Sequence, residues 1–189
     1  MTEYDQLCRV LNKKFKSSSQ DEMTETKGNN KPQTVKIYWR GRDLETTLYN
    51  IPLDALDKDG MHFLPFFSNK IEGLCKFCDY ILLAKSEKRG TVVLLIELKR
   101  GGTSGAKEQL NASQTFMEYI YSSAERLHVD FNDSEFDKEK VTTMKIVIRK
   151  PKSNKMPTKG FLNIKKDDDV YYFKTNEIFP IKKIIEEHF

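Results

Sequence analysis

Cys78-Asp79-Tyr80-Ile81-Leu82-Leu83 is followed, after a short polar stretch, by Thr91-Val92-Val93-Leu94-Leu95-Ile96-Glu97-Leu98-Lys99. Two apolar runs joined by Ser86-Glu87-Lys88-Arg89-Gly90 predict a β-hairpin, since strands of this composition close most simply through a short polar, glycine-ended connection. If the connection is centred on Lys88, Asp79 lies directly opposite Glu97. Opposed residues have Cβ atoms about 4.5–5.5 Å apart and like charges there are destabilising, so the pair calls for a cation between its members or a raised pKa. Side chains alternate along a strand, so Lys99 shares the face of Glu97 and Leu98 does not. A slip of one residue would invert the arrangement.

Outward from the hairpin, Gly101-Gly102-Thr103-Ser104-Gly105 breaks the sheet and leads into a helix over 106–127. Ala106, Leu110, Ser113, Met117, Ile120, Tyr121 and Ala124 trace one face of it, as packing against a sheet requires. Residues 144–149 and 170–173 predict two further strands and 179–189 a closing helix. Upstream, Tyr4, Leu7, Cys8, Leu11 and Phe15 recur at helical spacing, which predicts an N-terminal helix over 1–16. Residues 16–34 have almost no apolar content and read as a flexible linker or loop. Residues 35–39 and 44–49 read as strands around an Arg40-Gly41-Arg42-Asp43 turn, while 50–74 give no assignment. Apolar strands interrupted by one long helix argue for an α/β domain spanning 1–189, with Val92 to Ile96 as a central buried strand.

A chain of 189 residues with 38% hydrophobic and 32% charged residues is large enough to bury a substantial core under a highly charged surface. A net charge of +4 is mild, so a polyanionic partner depends on clustering of the basic residues. The start, Met1-Thr2-Glu3-Tyr4-Asp5, carries no secretory pattern, and the strongly apolar run that ends at Glu97 is far shorter than the roughly 20 residues of a membrane-spanning helix. The expectation is a cytoplasmic protein without membrane contact, in which Cys8, Cys75 and Cys78 are reduced thiols.

An acid-x-Lys triplet alone means little in so charged a chain; Glu25-Thr26-Lys27 is another, and it lies in the polar segment. Glu97-Leu98-Lys99 differs by its setting. It ends a buried strand, the partner strand supplies Asp79, and a glycine-rich bend leads to a helix carrying Gln109 in its first turns. Two acids with an ammonium one pleat away are the minimal equipment for metal-assisted phosphodiester hydrolysis. The alternative is a diagonal ion pair between Asp79 and Lys99, with Gln109 in solvent.

Cys78-Asp79-Tyr80-Ile81-Leu82, Leu95-Ile96-Glu97-Leu98-Lys99-Arg100-Gly101, then Ala106 and Gln109-Leu110, resemble the PD-(D/E)xK nuclease superfamily over about residues 75–149. Strand with Asp, strand with Glu-x-Lys, helix with Gln, then strand is the order of that family's core. Cys78 stands where the family usually has proline, and the additional helix carboxylate of many members has only Glu72 and Glu3 as candidates. The resemblance implies a restriction-endonuclease-like fold, a mixed central sheet flanked by helices. It also implies Mg²⁺, with Mn²⁺ as a substitute, held by the Asp79 and Glu97 carboxylates and the carbonyl of Leu98. Lys99 would orient or deprotonate the attacking water and offset phosphate charge, and Gln109 would position water or backbone. The implied activity is nuclease, on DNA ahead of RNA. The rival reading is a non-catalytic nucleic-acid-binding or protein-interaction module that keeps the fold, and a homodimer is left open.

Other motifs weigh less. Cys75-Lys76-Phe77-Cys78 has zinc-ligand spacing but is half a site, and Asp54 to Gly60 fails as a calcium loop because Phe66 falls where a bidentate Glu belongs. From Lys145 to Lys166 no acid interrupts the basic residues, so Lys150, Lys152 and Lys155, in a loop after a core strand, are the candidate nucleic-acid contacts. Trp39 beside Arg40 and Arg42 reads either as a buried strand-end aromatic or as a base-stacking platform.

Overall fold

The computed structural model describes residues 1–25, 33–38, 44–50, 76–100, 102–127, 135–149, 163–175 and 178–188. Nine strands occur among them: β1 (Glu22–Glu25), β2 (Gln33–Ile37), β3 (Leu44–Asn50), β4 (Tyr80–Ser86), β5 (Gly90–Lys99), β6 (Val141–Arg149), β7 (Asn163–Asp167), β8 (Val170–Lys174) and β9 (Ile178–Phe179). Three helices accompany them, α1 (Glu3–Val10), α2 (Ala106–Arg126) and α3 (Ile181–His188). The result is a mixed α/β architecture built on a six-stranded sheet of order β3-β4-β5-β6-β8-β7 and a three-stranded sheet of order β1-β2-β9.

β3, β4 and β5 form an antiparallel meander, and β5, β6 and β8 run parallel to one another. Parallel neighbours need a long crossover, which α2 supplies between β5 and β6. The hairpin is tighter than the predicted 86–90 connection, with Ser86 paired to Gly90, but it keeps the predicted centre: Leu83 faces Val93 and Tyr80 faces Ile96. Gly90 takes the turn at φ +69°, where a side chain would be strained.

Alternation along β5 feeds two cores. Val93 and Leu95 join Ile81, Leu83 and Val147 beneath α1 and α2, through Leu7, Leu110, Met117 and Tyr121. Val92, Leu94, Ile96 and Leu98 face the other way, onto Met23, Val35, Phe179, Ile181 and Ile185. One face of the large sheet is thus covered by two helices and the other by the small sheet with α3. Helices therefore lie on both faces, as expected, but on the second face α3 shares the covering with the small sheet.

Several boundaries differ from expectation for identifiable reasons. The N-terminal helix stops at Val10 rather than 16, because Leu11 is extended and Asn12 caps a separate short turn, Lys13–Phe15. The predicted linker 16–34 contains β1 and the start of β2, anchored by the wholly buried Met23. β2 and β3 are not paired with each other as expected; β2 pairs with β1 and β9, whereas β3 pairs with β4. The closing helix begins at Ile181, after the two-residue strand β9. No described helix is long and apolar enough to cross a membrane.

Candidate active site

Asp79 stands immediately before β4 and Glu97 near the end of β5, at the point where the hairpin's backbone pairing finishes with Tyr80 and Ile96. Beyond that pair the side chains take over. The Asp79 amide donates to Glu97 Oε2 at 3.2 Å, and the Leu98 amide donates to Asp79 Oδ2 at 2.8 Å. Each carboxylate therefore holds the other strand's backbone, which brings both to the α2 side of the sheet.

Glu97 is 2% exposed, and a carboxylate so placed needs a compensating charge. Lys99 supplies it: Nζ lies 2.8 Å from Glu97 Oε1. The same Nζ donates to Gln109 Oε1 at 2.8 Å, and Gln109 Nε2 donates to the Phe77 carbonyl at 3.3 Å. Gln109 is thus buried and engaged at both ends, rather than solvated, and its contact is to backbone. Lys99 pairs along its own strand with Glu97, a route that two-residue spacing on one face allows as readily as the cross-strand diagonal.

α2 fixes Gln109 in this position. Gly105 turns the chain into the helix at φ +73°, a conformation that favours glycine, and the Gln109 amide closes the first turn on the Gly105 carbonyl. One turn further on, Ser113 Oγ accepts from the Cys78 amide at 2.7 Å and donates to the Gln109 carbonyl at 2.8 Å. This wholly buried serine ties the residue before Asp79 to the turn carrying Gln109. Its place on the predicted helix face was legible; its role as a clasp depends on a contact 35 residues distant that no local pattern announces.

The remaining candidates distribute as follows. The Leu98 side chain is buried on the opposite face, so only its backbone belongs to the site. Cys78 is fully buried, and burial, joined by the neighbouring Glu97 and Asp79 charges and opposed by the Ser113 hydrogen bond, pushes its thiol up to about 12. Full burial and a raised pKa are the setting of a structural rather than a nucleophilic thiol. Glu3 lies on α1, 3.9 Å from Lys140 Nζ. Lys145 is buried, hydrogen-bonded to Asn111 at 2.8 Å and ion-paired with Asp169, so it is not part of a solvated basic surface. Lys150, Lys152 and Lys155 lie outside the described residues, as do Trp39, Arg40, Arg42, Glu72, Cys75 and the segment 54–60.

Among the described residues no group of three or more His, Cys, Asp or Glu side chains converges as a metal cluster. The donor set at Asp79 and Glu97 is two carboxylates with backbone carbonyls nearby, all hard oxygen. Comparison of the chain with protein-family models, curated proteins and solved structures returned no match.

Proposed function

We propose that this protein is a Mg²⁺-dependent nuclease of the restriction-endonuclease-like fold, acting on DNA ahead of RNA in the cytoplasm. One observation carries the reading: Asp79, Glu97, Lys99 and Gln109 meet on one face where β4, β5 and the first turns of α2 converge. Asp79 at the entry to β4, Glu97 and Lys99 at the end of β5, Gln109 on α2 and then β6 also follow the element order that the sequence resemblance implies.

The donor set fits the ion. Mg²⁺ keeps several waters and is usually bound through one or two carboxylates rather than an all-protein cage, so two carboxylates and the Leu98 carbonyl suffice. When bound, the ion supplies a Lewis acid that lowers the pKa of water and draws charge from the scissile phosphate. The protein's own groups provide the rest. Lys99 offers an ammonium to orient the attacking water and to offset phosphate charge. Gln109, held by Phe77, keeps that ammonium directed, and Ser113 sets the spacing of Asp79 from α2.

A second reading rests on the same hydrogen bonds. Both carboxylates accept backbone amides, so they also serve to close the hairpin, as they would in a non-catalytic binding module that keeps the fold. Purified protein incubated with plasmid, single-stranded DNA and RNA, each with Mg²⁺, Mn²⁺ or chelator, separates the two. Cleavage that needs the ion supports the nuclease; intact substrates under every condition support the module.

A further inference from the structure

Lys99 is the first of three cations in one register row. It pairs across the ladder with Arg149 at the end of β6, and Arg149 pairs with Lys174 at the end of β8. Alternation places all three on the α2 face, since Leu95, Val147 and Val170 of the same strands lie in the core beneath that helix. β7 adds a fourth: Lys165 faces Tyr172, so it too lies on this side. With strands about 4.8 Å apart, the row from Lys99 to Lys174 spans about 10 Å of backbone across the carboxyl ends of three parallel strands. Those ends are where open α/β sheets bind their ligands.

An open groove of about 320 Å³ runs there, lined by Thr103, Arg149, Ile164, Lys165, Asp167, Tyr172 and Lys174. Its lining brings three cations and one aromatic ring together with one acid, Asp167. The next two acids of the β7–β8 turn are committed elsewhere, Asp168 to Lys107 at 2.9 Å and Asp169 to Lys145. Lys165 and Lys174 are exposed.

We infer that this groove receives the phosphodiester backbone of a nucleic-acid strand, with Arg149, Lys165 and Lys174 contacting successive phosphates beside the carboxylate site and Tyr172 offering a face to a base. The choice of ligand rests on the nuclease reading, while the site itself is separate from the ion-binding residues. Lysine and arginine along a groove that also presents an aromatic ring is the combination by which single strands are tracked.

The test is binding without catalysis. A fluorescein-labelled single-stranded 20-mer, and the matching duplex, are titrated by anisotropy in chelator over a range of salt. The double variant Lys165→Gln/Lys174→Gln should bind more weakly, and its log–log salt slope should fall by about 1.4 on the single strand, two phosphate contacts at about 0.7 each. Lys13→Gln/Lys14→Gln, which removes the same charge from exposed lysines of another surface, should leave the slope unchanged. Circular dichroism confirms that both variants are folded. No binding by the wild type, an unchanged slope in the groove variant, or an equal fall in the control variant would overturn the proposal. Because no divalent ion is present, these outcomes are independent of whether the protein cleaves, which the substrate panel decides separately.

Discussion

Replacing Lys99 by methionine keeps most of the side chain's bulk and removes its charge, which isolates what the ammonium contributes to the resting site. Two contacts are lost, to Glu97 Oε1 and to Gln109 Oε1, both at 2.8 Å. The side chain of Glu97 is 2% exposed and that of Lys99 is 19% exposed, so the carboxylate is left buried while the lysine end was already partly wet. Removing one partner of a fully buried pair costs about 3–5 kcal/mol, and partial exposure of the lysine puts the expected loss near the bottom of that range, about 3 kcal/mol. Much of this is the cost of an orphaned charge rather than of a lost attraction. Adding Glu97→Gln to Lys99→Met should therefore restore about half of it, because an amide at position 97 can still accept from the Asp79 amide without carrying charge. Urea unfolding followed by far-UV circular dichroism in chelator measures all three proteins. A Lys99→Met variant within about 0.5 kcal/mol of wild type, an ordinary value for surface substitutions, would refute the claim that Lys99 compensates a buried Glu97. So would a double variant less stable than the single one.

Other outcomes follow from the same geometry. Cys78, fully buried with its thiol pushed up to about 12, should resist alkylation in the native protein and react only in denaturant, whereas half-buried Cys8 should label sooner; peptide mass spectrometry after timed iodoacetamide treatment distinguishes them. The Lys145 hydrogen bond and charge hold the Asp169 carboxyl below its usual value, against a smaller opposing effect of burial. A depressed folded-state pKa contributes stability above the unfolded value that is lost as pH falls through the folded one. Asp169→Asn should therefore cost about 1 kcal/mol near pH 7, since the aspartate is half exposed. The difference from wild type should fade as pH falls below about 4, as urea midpoints across pH would show. A deficit that persists undiminished at low pH would mean that the ion pair is not its source.

How much of this was written in the sequence depends on how local each determinant is. The pairing of β4 with β5 was legible because a short polar turn and two apolar runs leave little freedom of register, and the face of α2 because its apolar spacing is regular from Ala106 to Ala124. The small sheet was not. β1 carries a single apolar residue, Met23, among polar ones, and β2 finds β9 in parallel across more than half of the chain. β7, Asn-Ile-Lys-Lys-Asp, is an edge strand whose single apolar residue leaves no alternation to read. In the site, residue types and facing were readable from alternation, but which acid Lys99 chooses depends on burial. Glu97 is enclosed beside α2 and requires the cation, a fact that only packing decides. The row Lys99, Arg149 and Lys174 escaped notice for a related reason: it exists only across three parallel strands, and no two of its members are near in sequence.

The measurement closest to the central claim compares wild type with Glu97→Ala and Lys99→Ala in one metal-dependent cleavage assay, with Mn²⁺ binding followed in parallel by electron paramagnetic resonance. The account predicts cleavage by wild type that chelator abolishes, and no cleavage by either folded variant. It further predicts that Mn²⁺ binding weakens in Glu97→Ala, where a ligand is gone, but persists in Lys99→Ala, where the ammonium competing for Glu97 has been removed. A wild type inert on every substrate, or activity unchanged in both variants, would contradict it.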